Sequence, residues 1–180
     1  MSMNEFDKVL ISREQIGARI TELAATLDRD YADKNPLFLC ILKGSVFFFT
    51  DLLKELHIPA EIDFMAVSSY GEASRSSGCV KMVKDLDRSI TDRHVVIVED
   101  MVDSGNTLSY LRELLLTRNP ASLRICTLMD KPERRVADIT VDYVGFRVPD
   151  EFVVGYGLDY AERYRTLPEI YVLSRSVYEK

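Results

Sequence analysis

The feature that most limits the fold is a set of short, unbroken apolar runs, each stopped by a turn and followed by a helical pattern. Leu37–Leu42 (LFLCIL) and the VVIV of Val95–Val98 show no polar alternation, as expected of strands covered on both faces of a sheet. Lys43-Gly44 ends the first run, and Val46–Leu56 then reads as a helix. After the second run, Thr107–Arg118 is amphipathic through Leu108, Leu111 and Leu115 and stops at Asn119-Pro120. Upstream, Ser12-Arg13-Glu14-Gln15 reads as a capping box, and Ile16, Ile20, Leu23 and Leu27 follow at helical spacing, with an end before Pro36. Glu61–Ser68 and Val80–Val83 are strand candidates that could pair. His94–Val98, Leu123–Met129, Tyr143–Phe146 and Ile170–Leu173 are further strands. Strands alternating with helices predict an α/β fold with a mainly parallel central sheet flanked by helices. A length of 180 residues suits one domain, spanning 1–180.

The balance of charge narrows the function. A net charge of −6 argues against generic binding to nucleic acid, which runs on clustered Lys and Arg. Cys40, Cys79 and Cys126 lie far apart, odd in number and with no C-x-x-C, which supports neither a disulfide framework nor a zinc ribbon and favours reduced thiols. With only His57 and His94 available, a metal site would be built from carboxylates, pointing to Mg²⁺. The start, MSMNEFDKVLIS, carries Glu5 and Asp7 and lacks the form of a signal peptide, and no apolar run approaches the roughly 18 residues of a membrane span. A cytoplasmic protein without membrane partners is expected.

In a parallel sheet, ligands bind at the carboxyl ends of strands, so the chemistry is sought just after each buried run. The richest stretch is VVIVEDMVDSGNTL, residues 95–108. Four β-branched residues lead into Glu99 and Asp100, where the strand meets the cleft. Asp103, Ser104, Gly105, Asn106 and Thr107 follow, and a helix begins. Unpaired amides and the positive end of the helix dipole make such a start receptive to a phosphate. Carboxylates beside a phosphate make sense if they accept from sugar hydroxyls or hold Mg²⁺ that binds the phosphates. Neither a Walker A loop nor a G-x-G-x-x-G is present.

This segment resembles the ribose-phosphate-binding fingerprint of the type I phosphoribosyltransferases. The chain as a whole is similar to the short bacterial members that act on 6-oxopurines, the hypoxanthine-guanine phosphoribosyltransferases. Leu42-Lys43-Gly44, Ser69-Tyr70, Asp130-Lys131-Pro132, Val144-Gly145-Phe146 and the block from Pro149 through Tyr160 to Arg165 fall in the family's order, over roughly residues 37–173. The resemblance implies a type I phosphoribosyltransferase fold with a small hood built from N-terminal residues and roughly 145–173. It implies transfer of the phosphoribosyl group of 5-phosphoribosyl 1-pyrophosphate to N9 of hypoxanthine and guanine in purine salvage, with Mg²⁺ as cofactor. A homodimer or homotetramer is expected on the same ground.

Residue by residue, the resemblance assigns Glu99 and Asp100 to the ribose hydroxyls, directly or through Mg²⁺, and Asp103 to acid/base work near the purine N7. Ser104, Gly105, Asn106 and Thr107 would take the 5′-phosphate, with Asp103 beside them. Lys43, Gly44 and Arg165 would bind pyrophosphate, with the peptide before Lys43 often cis in the family. Lys131 would donate to the purine O6, Phe152 would stack on the ring and Val153 would offer its backbone. Asp159 would sit at the purine–pyrophosphate end as a further Mg²⁺ ligand. Ser69 and Tyr70 would open a lid, Ser69–Gly78, whose glycine-bounded polar sequence reads as an exposed mobile loop. Arg163 reads as a solvated or interface charge. Three other readings compete: a related transferase for another base, such as xanthine, adenine or a pyrimidine, of which Lys131 and the Phe152–Asp159 block disfavour adenine and pyrimidines; a regulator using the same fold; and a flavodoxin-like receiver or phosphatase. The regulator lacks a basic surface or added domain here, and the last would not carry the later motifs.

Overall fold

A computed structural model describes residues 5–69 and 80–179 of the chain. Its elements follow the order β1 (Phe6–Ile11), α1 (Arg13–Asp30), β2 (Leu37–Leu42), α2 (Val46–Glu55), β3 (Glu61–Ser69), β4 (Val80–Lys84), β5 (His94–Val102), α3 (Asn106–Leu116), β6 (Ser122–Asp130), β7 (Tyr143–Arg147), β8 (Val153–Val154), β9 (Ile170–Leu173) and α4 (Arg175–Tyr178). Six strands form one sheet in the order β4-β3-β2-β5-β6-β7. All neighbours in it are parallel except the β3–β4 pair.

The unbroken apolar runs are explained by helices on both faces. Phe38, Cys40, Val96, Val98, Cys126 and Leu128 point toward α1 and α2. Their neighbours Leu37, Leu39, Ile41, Val95, Ile97 and Ile125 point the other way, toward Leu108, Leu111 and Leu115 of α3. β2 and β5 lie side by side, yet the chain leaves β2 toward β3 and leaves β5 toward β6. Crossovers of one hand running in opposite directions must place α2 and α3 on opposite faces. The gap above the carboxyl ends of β2 and β5 is therefore the topological switch point, where this class of sheet leaves a crevice.

A second sheet of three antiparallel strands, β1-β9-β8, joins the two ends of the chain. β1 and β8 escaped the sequence pattern. β8 has two residues, too few for any periodicity, and β1 (FDKVLI) is mostly exposed on its outer side. α4 also passed unnoticed, being a single turn. Elsewhere the elements match expectation within a residue or two, save for β5. That strand runs on past the acids to Val102, because Glu99, Met101 and Val102 keep pairing with Thr127, Met129 and Asp130 of β6. Cys40 and Cys126 are buried free thiols whose burial pushes their pKa up to about 11 and about 12, respectively. Cys79 lies outside the described residues. No helix among those residues is long and apolar enough to cross a membrane.

The capping box forms as read: Gln15 N donates to Ser12 Oγ at 3.3 Å, and Ser12 N donates to Gln15 Oε1 at 2.8 Å. Ser12→Ala removes the acceptor at the start of α1 and is expected to cost about 1 kcal/mol, whereas Ser12→Gly should cost only a few tenths. Urea unfolding reads both, as a shift of midpoint at constant slope. Equal losses for Ala and Gly would mean that the side-chain bond contributes nothing.

Candidate active site

Two cavities of about 310 Å³ each open at the switch point and share Met101 and Asp103 in their walls. The first lies over the start of α3 and is lined by Glu99, Asp103, Ser104, Gly105 and Thr107, with Ile41, Val67 and Leu108 beneath. The second lies toward the small sheet, lined by Lys43, Gly44, Asp100, Asp103, Lys131, Phe152, Val153, Asp159 and Arg165. Glu99 and Asp100, adjacent on β5, thus face different cavities, as alternation along a strand requires.

The loop into α3 is held by backbone. Ser104 O accepts from Val136 N at 2.9 Å and from Ala137 N at 3.0 Å. Gly105 is the N-cap residue with φ of 82°, a left-handed conformation suited to glycine, and no side chain caps the helix. The first amides of α3 therefore remain available to a ligand at the positive end of the helix. Asn106 N lies 3.5 Å from Ser104 Oγ, and the Asn106 side chain is exposed and lines neither cavity.

Opposite this loop, Gly44 is wedged against Asp100. A Cβ at Gly44 would stand 1.6 Å from Asp100 Oδ2, so no side chain fits there. Behind it, a Cβ at Gly157 would meet Gly44 O at 2.0 Å, and Gly157 O accepts from Arg165 Nη1 at 2.8 Å. The tip of β5, the loop after β2 and the 155–165 segment are thereby locked at contact distance. The Leu42–Lys43 peptide bond is cis. Lys43 Nζ reaches Glu162 at 3.3 Å in an exposed pair, while Arg165 Nη2 holds Asp159 Oδ1 at 2.8 Å.

The acids are under electrostatic load. Burial, then the charge of Asp100, raises the pKa of Glu99 well above the usual range, and burial lifts Asp100 to about 6. Among the described residues, Glu5 Oε2, Glu99 Oε2 and Arg165 Nε are buried without a hydrogen-bond partner, and the last two belong to residues that line the cavities. Polar groups of a ligand there would satisfy those two atoms.

Lys131 is only 5% exposed and follows directly on β6. Its Nζ donates to Glu151 O at 2.6 Å, and burial draws its pKa down, opposed by the charges of Asp103 and Asp150. Phe152 remains 40% exposed beside it, whereas Val153 is buried.

Two arginines were not singled out from sequence. Arg134 Nε donates to Asp103 Oδ1 at 2.6 Å, and its Nη1 lies 3.3 Å from Asp150 Oδ2. Arg135 pairs with Asp130 and donates through Nε to Asp103 O at 3.3 Å. Their signal was available: paired cations two residues beyond Asp130-Lys131-Pro132, at a strand end where binding loops belong. Arg163 pairs with Glu5 at 3.2 Å, away from both cavities. Ser69 ends β3, and nothing further is described of its side chain; Tyr70 and the rest of the expected lid lie outside the described residues.

The chain is similar to known proteins in sequence and in fold. A family model described as the phosphoribosyl transferase domain matches residues 11–161. The chain is 54% identical over 179 residues to the hypoxanthine-guanine phosphoribosyltransferase of Bacillus subtilis (strain 168), covering 99% of each chain. It is 53% identical over 173 residues to the enzyme of that name from Streptococcus mutans, covering 96% of each. A crystal structure of a hypoxanthine phosphoribosyltransferase from Staphylococcus aureus superposes with a TM-score of 0.94 at 48% identity, covering 98% of this chain and 96% of that one. Family model, relatives and solved fold agree: the chain belongs to the phosphoribosyltransferase family, in its hypoxanthine-guanine branch.

Proposed function

We propose that the chain transfers the 5-phosphoribosyl group of 5-phosphoribosyl 1-pyrophosphate to N9 of hypoxanthine or guanine, giving IMP or GMP and pyrophosphate. The carrying observation is the pair of adjoining cavities. One offers helix-start amides, the other offers Lys131 and Phe152, and Asp103 stands in the wall of both.

In this reading the amides and hydroxyls of Ser104–Thr107 grip the 5′-phosphate, fixing the sugar over the tip of β5. Glu99 and Asp100 accept from the ribose hydroxyls. Lys43, the Gly44 backbone and Arg165 take the pyrophosphate, a planar guanidinium fork being well matched to phosphate oxygens. As the C1′–oxygen bond breaks, pyrophosphate leaves with the electron pair, and the purine N9 forms the new bond to C1′. Asp103 accepts the proton released from N7, which raises the nucleophilicity of the base. Arg134 holds the Asp103 carboxylate at the boundary of the cavities. The rest of catalysis is positioning and exclusion of water, since no covalent intermediate is needed. The small sheet acts as the hood, and Ser69 and Tyr70 are assigned to the lid by the resemblance alone.

Mg²⁺ fits the acids present. Glu99 Oε2 is an acceptor without a partner, and Asp100 and Asp159 line the second cavity. Such a cation keeps waters and takes one or two carboxylates together with substrate phosphates, which these acids would supply. When bound, it would neutralise charge on the departing pyrophosphate. Assembly into homodimers or homotetramers belongs to the same reading.

Base choice follows from Lys131. An ammonium is donor-only, so it pairs with a 6-oxo group and offers the 6-amino group of adenine no acceptor. A panel of hypoxanthine, guanine, xanthine and adenine, assayed with 5-phosphoribosyl 1-pyrophosphate and Mg²⁺, should show turnover with the first two and at least about 10⁴-fold less with adenine. Adenine as the best substrate would overturn the assignment. Asp103→Asn should lower kcat by roughly 10²–10⁴-fold while binding of 5-phosphoribosyl 1-pyrophosphate stays near wild type; unchanged turnover would remove Asp103 from the reaction.

The acids also make stability depend on pH. A buried carboxylate with a raised pKa keeps its proton in the folded state when the unfolded chain has released it. Stability present below the ordinary value of 3.8 is then lost as pH rises toward about 6 at Asp100. Asp100→Asn keeps the Oδ1 that accepts from Met101 N at 2.6 Å and removes this loss. Its melting temperature should equal that of the wild type at the acid end, rise above it as pH approaches about 6, and hold a constant lead beyond. A difference that ignores pH would count against the burial argument.

A further inference from the structure

We propose that Tyr178 is a positioning residue for base binding: its ring backs Phe152, so that an entering purine completes a three-ring stack. The inference rests on the reading above, in which Phe152 meets the base.

Phe152 is poorly suited to hold a plane by itself. It follows the Pro149-Asp150-Glu151 turn, and its ring is 40% exposed. An aromatic side chain in that situation is free to rotate about two torsions, and a base stacking on it must first immobilise it. Two contacts restrict it here. Tyr178 lies nearly parallel to Phe152, with ring centroids 4.8 Å apart and planes inclined by 24°. Tyr160 meets the ring edge-on, at 5.7 Å and 88°. Each arrangement suits the ring quadrupoles.

The ring has two faces, and Tyr178 covers one. Among the described residues, the second cavity is lined by Phe152 but by neither Tyr160 nor Tyr178, and in this proposal the face of Phe152 away from Tyr178 is the one that meets the base beside Lys131 and Val153. Tyr178 is itself anchored. α4 follows β9 directly, and Val177 and Tyr178 pack against the cluster of Val154, Tyr164 and Leu173. Leu173 N donates to Phe152 O at 2.8 Å, so the strand that leads to Tyr178 also fixes the backbone of the residue it backs. Backing of this kind acts on the base and leaves the sugar, the pyrophosphate and the bond-making atoms untouched. It should therefore appear in the KM for the base.

The test is steady-state kinetics on the full chain with Tyr178→Ala, Tyr178→Leu and Tyr178→Phe, varying hypoxanthine and 5-phosphoribosyl 1-pyrophosphate separately. Tyr178→Ala and Tyr178→Leu are expected to raise the KM for hypoxanthine by roughly three- to tenfold, which is about 0.7–1.4 kcal/mol at 1.4 kcal/mol per decade. The KM for 5-phosphoribosyl 1-pyrophosphate and kcat should stay within about twofold, since the stack touches neither. Tyr178→Phe, which keeps the ring, should restore the wild-type value. The leucine variant keeps apolar bulk, so it guards against a fold defect in the alanine variant. An unchanged base KM in both truncations, with the wild type active, overturns the positioning role alone. A fall in base KM also overturns it, because Tyr178 would then be covering the base site. Kinetic constants that all shift together point to general loosening and overturn it as well. A wild type inert toward every base overturns the parent reading, and the positioning role with it.

Discussion

The structure depends on one topological fact: β2 and β5 are neighbours from which the chain departs in opposite directions. That divergence opens the crevice, and it places the loop after β2 opposite the loop after β5. Close packing then sets the distance between them. Gly44 has no room for a Cβ because Asp100 occupies that space, and Gly157 has none because Gly44 O does. Direct contact at these two glycines sets the separation of the loop after β2, the tip of β5 and the 155–165 segment. Arg165, tied to Gly157 O, inherits the same fixed position.

The price of that rigidity is electrostatic. Two adjacent carboxylates are held where burial disfavours their charge, and one oxygen of Glu99 finds no donor. In the proposed reaction that load is relieved by partners that arrive with the substrate, either sugar hydroxyls or a cation, each of which would satisfy what the folded chain alone leaves unsatisfied. The α3 start shows the complementary case. Gly105 caps it without a side chain, leaving donors to match the acceptors across the cleft.

Much of this was legible in the residues. The unbroken LFLCIL and VVIV runs required cover on both faces, and the two core layers supply it. Ser12 and Gln15 spelled out a helix start. The VVIVEDMVDSGNTL segment placed acids, small residues and a helix start in the order a phosphate sugar requires. What stayed hidden was set by distance in sequence rather than by local pattern. β1 carries no clean alternation because it is stabilised by pairing with β9, far along the chain. The continuation of β5 through Glu99 to Val102 depends on β6 and is invisible in the polar letters themselves. Arg134 could have been noticed as a cation beside a binding motif, but only the fold reveals that it reaches Asp103 and Asp150 together.

Base recognition shows why local reading stops where it does. The ammonium of Lys131 has three protons, and one is committed to the carbonyl of Glu151, a bond of 2.6 Å. That commitment restricts the direction of the remaining donors, and in the proposed reaction it restricts where the 6-oxo group is met. The partner is main chain, so no side-chain letter announces it. The next carbonyl along, Phe152 O, accepts from Leu173 N at 2.8 Å, and the Glu151 side chain makes an exposed ion pair with Lys8 at 3.0 Å. Lys8 belongs to β1 and Leu173 to β9, and these two strands pair with each other. If Lys131 meets the base as proposed, the carbonyl that orients it sits in a segment tied to the paired first and last strands, so a substitution that loosened that pairing is expected to blur the choice of base without touching a residue that meets it.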